Sequence, residues 1–256
     1  MLIVISPAKS LDFNTPPVTT NYTMPEMLED SVKLAGRLNK MSPKQLSKLM
    51  GISIDLGELN FQRYQNWQLP FTPENAKQAA LAFNGDVYQG LQAESLSEKQ
   101  MELAQIRVRI LSGLYGVLKP LDLIQPYRLE MGTRLKYYKS KDLYEFWNPA
   151  ITKKIREALS ESGNDVLVNL ASKEYFKSID TKKLKAEIVT PDFKDQKNGQ
   201  YKMISFFAKK ARGLMTRFVL ENNITNANDL QAFEYEGYHF NPRLSKPNNP
   251  VFTREN

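Results

Sequence analysis

The sequence predicts a mixed α/β fold of unusual topology, a small central sheet surrounded by helices. Three observations carry that expectation. Leu2–Ile5 and residues 166–170 are short apolar runs rich in Val and Ile, each followed by polar residues, as in buried central strands. Thr23 and Ser42 are each followed three residues later by Glu26 and Gln45, with a proline in the first turn, which is the spelling of a capped helix start. Asn198-Gly199 lies between two segments of strand character and marks a hairpin turn. The chain has 256 residues with 41% hydrophobic and 25% charged content, enough for a sizeable core. No repeat, low-complexity tract or linker divides it, so a single domain over 1–256 is expected.

Along the chain, Leu2–Ile5 opens the sheet. Pro16 and Pro17 break the chain, and the box at Thr23 starts a helix reaching about Leu38. Ser42 starts a second helix through residues 46–50, residues 51–53 interrupt it, and a further helical pattern runs through Leu56, Leu59 and Tyr64. Thr72 and Pro73 open a helix over 76–83, and residues 85–91 read as a strand or turn carrying Val87 and Tyr88. A helix over 97–107 leads into a strand over 108–112, followed by a turn-rich loop with Gly113, Gly116 and Pro120. Residues 142–160 form a helix interrupted at Pro149, and 166–170 a second buried strand. Segments 184–189 and 201–206 are expected to pair across the Asn198-Gly199 turn, and the Asn- and Pro-rich tail after Gly237 to be irregular.

The net charge of +7 is uneven: residues 1–128 hold 13 Lys/Arg against 12 Asp/Glu, and residues 129–256 hold 22 against 16. Such an excess favours polyanionic partners and says nothing about fold. Cysteine is absent, which excludes disulfides, thiol peroxidase chemistry, zinc fingers and iron–sulfur ligation. The single histidine, His239, cannot build a soft-metal cluster, so no metal site and no cofactor are expected. The first apolar run is too short for a signal peptide or a membrane span, which predicts a cytoplasmic protein without a membrane partner, read as a monomer.

Two constellations follow buried strands, where open α/β sheets place ligands. Ser6, Pro7, Ala8 and Lys9 follow the first strand. They read either as a helix cap with a solvated lysine or as an anion-facing turn, and the Ser-x-x-Lys spelling lacks the companion motifs of penicillin-recognising enzymes. Ser172, Lys173 and Glu174 follow the strand over 166–170 in the same arrangement. Glu174 could act as an acid/base or pair with Arg128.

A third constellation, Leu46-Ser-Lys-Leu-Met-Gly-Ile-Ser53, approximates the helix–hairpin–helix pattern, in which backbone N–H groups meet a DNA phosphate. Lys48, Gly51 and Ser53 would make the contact, Leu56 and Leu59 would supply the second helix's packing face, and an ordinary αα-hairpin remains the alternative. Arg128 can bind phosphate or hold Glu130 and Glu174, with Arg134, Lys136, Tyr137, Tyr138, Tyr144 and Trp147 nearby. The last constellation is a helix from Ser205. Phe207, Ala211, Leu214, Met215 and Phe218 fall on one side of it, and Lys209, Lys210, Arg212 and Arg217 on the other, with Gly213 and Thr216 among the cations. A glycine there would admit a phosphate, let another helix pack close, or simply lie near an ordinary helix end.

The strings MLIVISPAKSLDF, FTPENAKQAALAFNGDVYQGLQAE, LSGLYGVLKPLDLIQPYRLEMG, KDLYEFW, NLASKEYFKS and ISFFAKKARGLMTRF resemble, in order and to about residue 240, the YaaA family of bacterial peroxide-stress proteins. The resemblance implies a cytosolic protein that limits hydrogen peroxide damage by keeping unincorporated iron low. It also implies an unusual mixed fold, a positively charged cleft and a helix–hairpin–helix-like element, here at about 42–66, that binds duplex and branched DNA. No enzymatic reaction is established for that family, so the resemblance assigns none. The combined expectation is a DNA-binding stress protein of low sequence preference, gripping phosphates through Lys9, Lys48, Gly51, Ser53, Arg128, Lys173, Lys209, Lys210, Arg212, Gly213 and Arg217. The alternative is an enzyme acting on damaged nucleic acid, with Lys9 or Lys173 as amine nucleophile and Glu174 or Glu130 as acid/base.

Overall fold

A computed structural model of the chain describes residues 1–255. The strands are β1 (Leu2–Ile5), β2 (Lys77–Gln78), β3 (Val108–Ser112), β4 (Gly116–Leu118), β5 (Leu123–Ile124), β6 (Val166–Leu170), β7 (Glu187–Val189), β8 (Asp192–Lys197), β9 (Gln200–Lys202), β10 (His239–Phe240) and β11 (Val251–Arg254). The α-helices are α1 (Leu28–Asn39), α2 (Pro43–Met50), α3 (Ile54–Asn66), α4 (Ala79–Ala82), α5 (Asp86–Leu91), α6 (Glu98–Arg107), α7 (Leu143–Trp147), α8 (Ala150–Glu161), α9 (Lys173–Phe176), α10 (Thr181–Leu184) and α11 (Ser205–Glu221).

The central sheet has the order β4-β3-β1-β6-β7, with β1 parallel to both β3 and β6 and all four of its residues fully buried. Burial on both faces explains the unbroken apolar run at Leu2–Ile5. A second sheet, β10-β11-β8-β9, is held around Asp195, a fully buried carboxylate that accepts from Tyr238 Oη at 2.9 Å and pairs with Arg254 at 2.6 Å. Phe193 stacks on Phe252, and Phe233 packs edge-on against both. The fold is compact and mixed α/β, and among the described residues no helix is long and apolar enough to cross a membrane.

The helix starts at Ser42 and Ser97 form capping boxes, and Asp142 caps α7 through the Glu145 N–H. The start expected at Thr23 is displaced to Leu28. Thr23 is instead bridged to Asp122, donating its hydroxyl to the Asp122 carboxylate at 2.6 Å. The helix expected over 76–83 is shortened to α4, because Lys77 and Gln78 are drawn into an extended pair with β5. Their side chains donate to the carbonyls of Asp12, Thr15, Thr19 and Asn21. The 198–199 turn is present, but it joins β8 to β9, and residues 187–189 instead extend the central sheet beside β6. The tail is not irregular throughout: β10 and β11 complete the second sheet, with β11 parallel to β8.

Residues 85–91 form a helix, not a strand, and the reason lies in α11. Val87, Tyr88, Gly90 and Leu91 are buried, and Gly90 faces Gly213. A Cβ on Gly213 would collide with the Val87 carbonyl oxygen, and one on Gly90 with the Lys210 carbonyl oxygen. Gly213 and Thr216 therefore lie in the buried contact, not among solvated cations. Arg217 locks the same crossing by donating to the Leu91 and Gln92 carbonyls and to Ser95 Oγ, while holding Glu221. Gly213→Ala gains ~1 kcal/mol of helix propensity, but overpacking against backbone costs up to ~3 kcal/mol. A net loss of about 2 kcal/mol lowers the melting temperature by roughly 4–8 °C. Thermal denaturation followed by circular dichroism checks this, and a raised midpoint contradicts it.

Candidate functional site

Ile5 and Leu170 are register partners, so β1 and β6 end side by side and deliver Ser6 and Ser172 to one edge of the sheet. From β1 the chain passes to β3 on one side, and from β6 to β7 on the other. Adjacent parallel strands whose connections diverge leave a crevice at their carboxyl ends, the usual ligand position in open α/β sheets. The Ser172 N–H donates to Ser6 Oγ at 2.9 Å, and Ser172 Oγ caps α9 by accepting from the Tyr175 N–H. Both hydroxyls keep an O–H to donate. Tyr88, from α5, donates to the Ser6 carbonyl at 3.1 Å and closes the crevice from the side.

The resulting cavity has a volume of about 450 Å³. Lys9 enters it after β1, Asp86 and Tyr88 from α5, Glu174 and Tyr175 from α9, and Lys209 and Arg212 from α11. Lys9 Nζ lies 2.8 Å from Glu130, which Arg128 also holds at 3.1 Å, and Lys209 lies 3.6 Å from Asp86. Arg212 differs. Among the described residues its half-buried guanidinium makes no hydrogen bond or ion pair. Burial pushes its pKa down, and the more distant charge of Asp192 acts in the opposite direction.

A second, more open cleft of about 790 Å³ separates the α2–α3 turn from residues 130–134. Gln45, Lys48 and Gly51 line one side; Thr133 and Arg134 line the other. Gly51 ends α2 in the left-handed region, at φ 62°, which a glycine adopts without strain, and Ser53 caps α3. The N–H groups of Gly51 and Ile52 both donate to the Ser47 carbonyl, and among the described residues the Ser53 N–H has no backbone partner. The face of α3 that packs inward carries Gly57, Asn60 and Tyr64, while Leu56 and Leu59 are exposed, contrary to the sequence expectation. Glu130 and Glu174 line both spaces and form their common wall, and Glu174 is fixed by the Gly132 N–H at 2.8 Å.

The structure thus brings Lys9, Glu130, Glu174, Lys209 and Arg212 to one cavity, with Lys48 and Gly51 across the shared wall. Lys173 is exposed and lines neither space, Lys210 turns to Glu236 at 2.5 Å, and Gly213 and Arg217 belong to the helix crossing. Sequence reasoning missed Asp86, Tyr88 and Tyr175. Gly85-Asp86 reads as a helix start once residues 85–91 are not taken as a strand, and that would have placed Asp86 and Tyr88. A desolvated guanidinium without an acceptor costs stability. Arg212→Met is therefore expected to stabilise the ligand-free protein by about 1 kcal/mol, raising the melting temperature by roughly 2–4 °C in differential scanning calorimetry. A lower midpoint would mean that the fold itself uses the charge.

Comparison with known families bears on this arrangement through nearly the whole chain. Residues 1–244, which include both clefts and every residue that lines them, match the family model described as peroxide stress protein YaaA, and the chain belongs to that family.

Proposed function

We propose that this member of the peroxide stress family binds DNA, duplex or branched, through its phosphate backbone and with little sequence preference. One observation carries the reading. The end of α2 and its turn, with Lys48 and Gly51, face Arg134 across an open cleft that adjoins the cavity holding Lys9 and Arg212, and Lys44 and the Ser53 N–H are exposed on the same α2–α3 unit. Backbone N–H groups and cations positioned in this way grip phosphates without reading bases. In this reading the α2–α3 unit acts as a helix–hairpin–helix element. Among the described residues the four cations Lys44, Lys48, Arg134 and Arg212 carry no ion pair, whereas Lys9, Lys209, Lys210 and Arg217 do, so the first four supply most of the contact energy. The chain works as one domain and as a monomer. Its effect on unincorporated iron is indirect, exerted through DNA or a protein partner, since a chain with no cysteine and one histidine is poorly equipped to sequester iron.

Affinity for a random-sequence duplex, followed by fluorescence anisotropy, is expected to fall steeply with salt. The combined Lys44→Ala, Lys48→Ala and Arg134→Ala variant is expected to flatten the logarithmic salt slope by ~0.9 for each phosphate that is no longer neutralised. A slope equal to that of the wild type removes the α2–α3 cleft from the interface.

A second reading, processing of a damaged base, is favoured by the Lys9 amine lying 2.8 Å from Glu130 inside a cavity that Glu174 also lines. In this reading Glu130 or Glu174 takes the ammonium proton, which frees the Lys9 amine to attack, and returns it to the departing group. Borohydride reduction in the presence of duplexes carrying abasic or oxidised sites is expected to trap a covalent adduct that Lys9→Ala abolishes. The absence of any adduct across such a panel counts against this reading and leaves the binding reading intact.

A further inference from the structure

The fold gives an acceptor to every other arginine that is at least partly buried. Arg63 donates to Asn60, Arg107 to the Ile224 carbonyl, Arg109 to the Gln105 carbonyl, Arg128 to Glu130, Arg217 to Glu221 and Arg254 to Asp195. Among the described residues Arg212 alone of this group has no acceptor, and it lines the cavity at the β1 and β6 strand ends. Five fixed N–H donors facing a polar cavity match an oxyanion that the protein does not itself provide. The same cavity presents the unclaimed hydroxyl hydrogens of Ser6 and Ser172 and the ammonium of Lys209. Its common wall is of the opposite character. Glu130 and Glu174 are acceptors suited to sugar hydroxyls or to the amino groups of a base. A volume of about 450 Å³ lies in the range of small-ligand sites and takes one nucleotide, not a duplex.

We propose that this cavity is a single-nucleotide site, which seats a phosphate ester on Arg212, Ser6 and Ser172 and turns the sugar and base toward Glu130 and Glu174. The nucleotide has two sources with the same chemistry: a free nucleoside monophosphate, or a nucleotide swung out of DNA held in the adjoining cleft. The second source rests on the DNA-binding reading, and the first does not. Extrusion into a side cavity costs least at an unpaired position, so a bulged nucleotide is the preferred form of the second source.

Isothermal titration calorimetry with the four deoxynucleoside monophosphates and their unphosphorylated nucleosides tests the site. At least one monophosphate is expected to bind, with its nucleoside weaker by about tenfold or more, since the nucleoside offers no charge-assisted bidentate pairing. Arg212→Met is expected to remove that difference, and Arg212→Lys to restore part of it. Thermal midpoints of both variants show that the change is not one of folding. A duplex with 2-aminopurine in a one-nucleotide bulge separates the sources. Brightening on binding that Arg212→Met abolishes assigns the extruded nucleotide, whereas monophosphate binding without brightening assigns the free one. Wild-type protein that binds monophosphate but no duplex removes the DNA reading and leaves the site standing. Neither monophosphate binding nor brightening, or monophosphate binding unaffected by both Arg212 variants, overturns the proposal.

Discussion

The contact between Gly90 and Gly213 is the constraint on which the arrangement of the site depends. A glycine in each helix lets α5 and α11 approach until the backbone of one touches the other, and no side chain fits between them. Each glycine costs roughly 1 kcal/mol of helix propensity, a cost that close packing and the Arg217 clamp offset. The crossing does more than join two helices. It fixes Lys209 and Arg212 on one side of α11 over the ends of β1 and β6, and it carries Tyr88 to the Ser6 carbonyl. A shift of α11 by one turn would move both cations away from the strand ends, because residues four apart are about 6 Å apart along a helix axis.

Around this contact the molecule treats its buried charges in two ways. In the second sheet Asp195 is fully enclosed and completely answered by Tyr238 and Arg254, so it organises structure. At the strand ends Glu130 is shared by Lys9 and Arg128, Glu174 is held by the Gly132 N–H, and Arg212 is held by nothing within hydrogen-bonding distance among the described residues. An unanswered charge in a crevice is tolerated where a ligand supplies the answer. Lys9, Lys209 and Arg212 share the cavity with Asp86, Glu130 and Glu174, so its lining is balanced, not uniformly basic. That balance suits a ligand with both an anionic and a hydrogen-bond-donating end.

Much of this was legible in the sequence because it is locally encoded. The unbroken run Leu2–Ile5, the capping box at Ser42, the helix over 97–107 and the Asn198-Gly199 turn each depend on neighbours a few residues away, and each is found where its spelling puts it. The convergence of Ser6 and Ser172 was legible as well, since two buried strands followed by Ser and Lys imply a shared crevice in a parallel sheet. What was not legible depended on distant partners. Helical periodicity placed Gly213 among cations and left close packing of another helix as one reading of it, but could not name α5 as that helix. Thr23 carries a helix-start spelling, yet Asp122 claims its hydroxyl from 99 positions away. The tail looks irregular by composition, and only β8 shows that Val251 and Phe252 complete a sheet.

The central claim is that the α2–α3 cleft and the strand-end cavity form one continuous surface for nucleic acid. Amide hydrogen exchange of the full chain, with and without a duplex bearing one bulged nucleotide, tests it most directly. Slowed exchange is predicted on both sides of the common wall: at residues 48–53 and 132–134 around the open cleft, and at residues 6–10 around the cavity. Slowed exchange confined to the β8–β9 ribbon, where Lys194, Lys197 and Lys202 offer a separate group of cations, would contradict it.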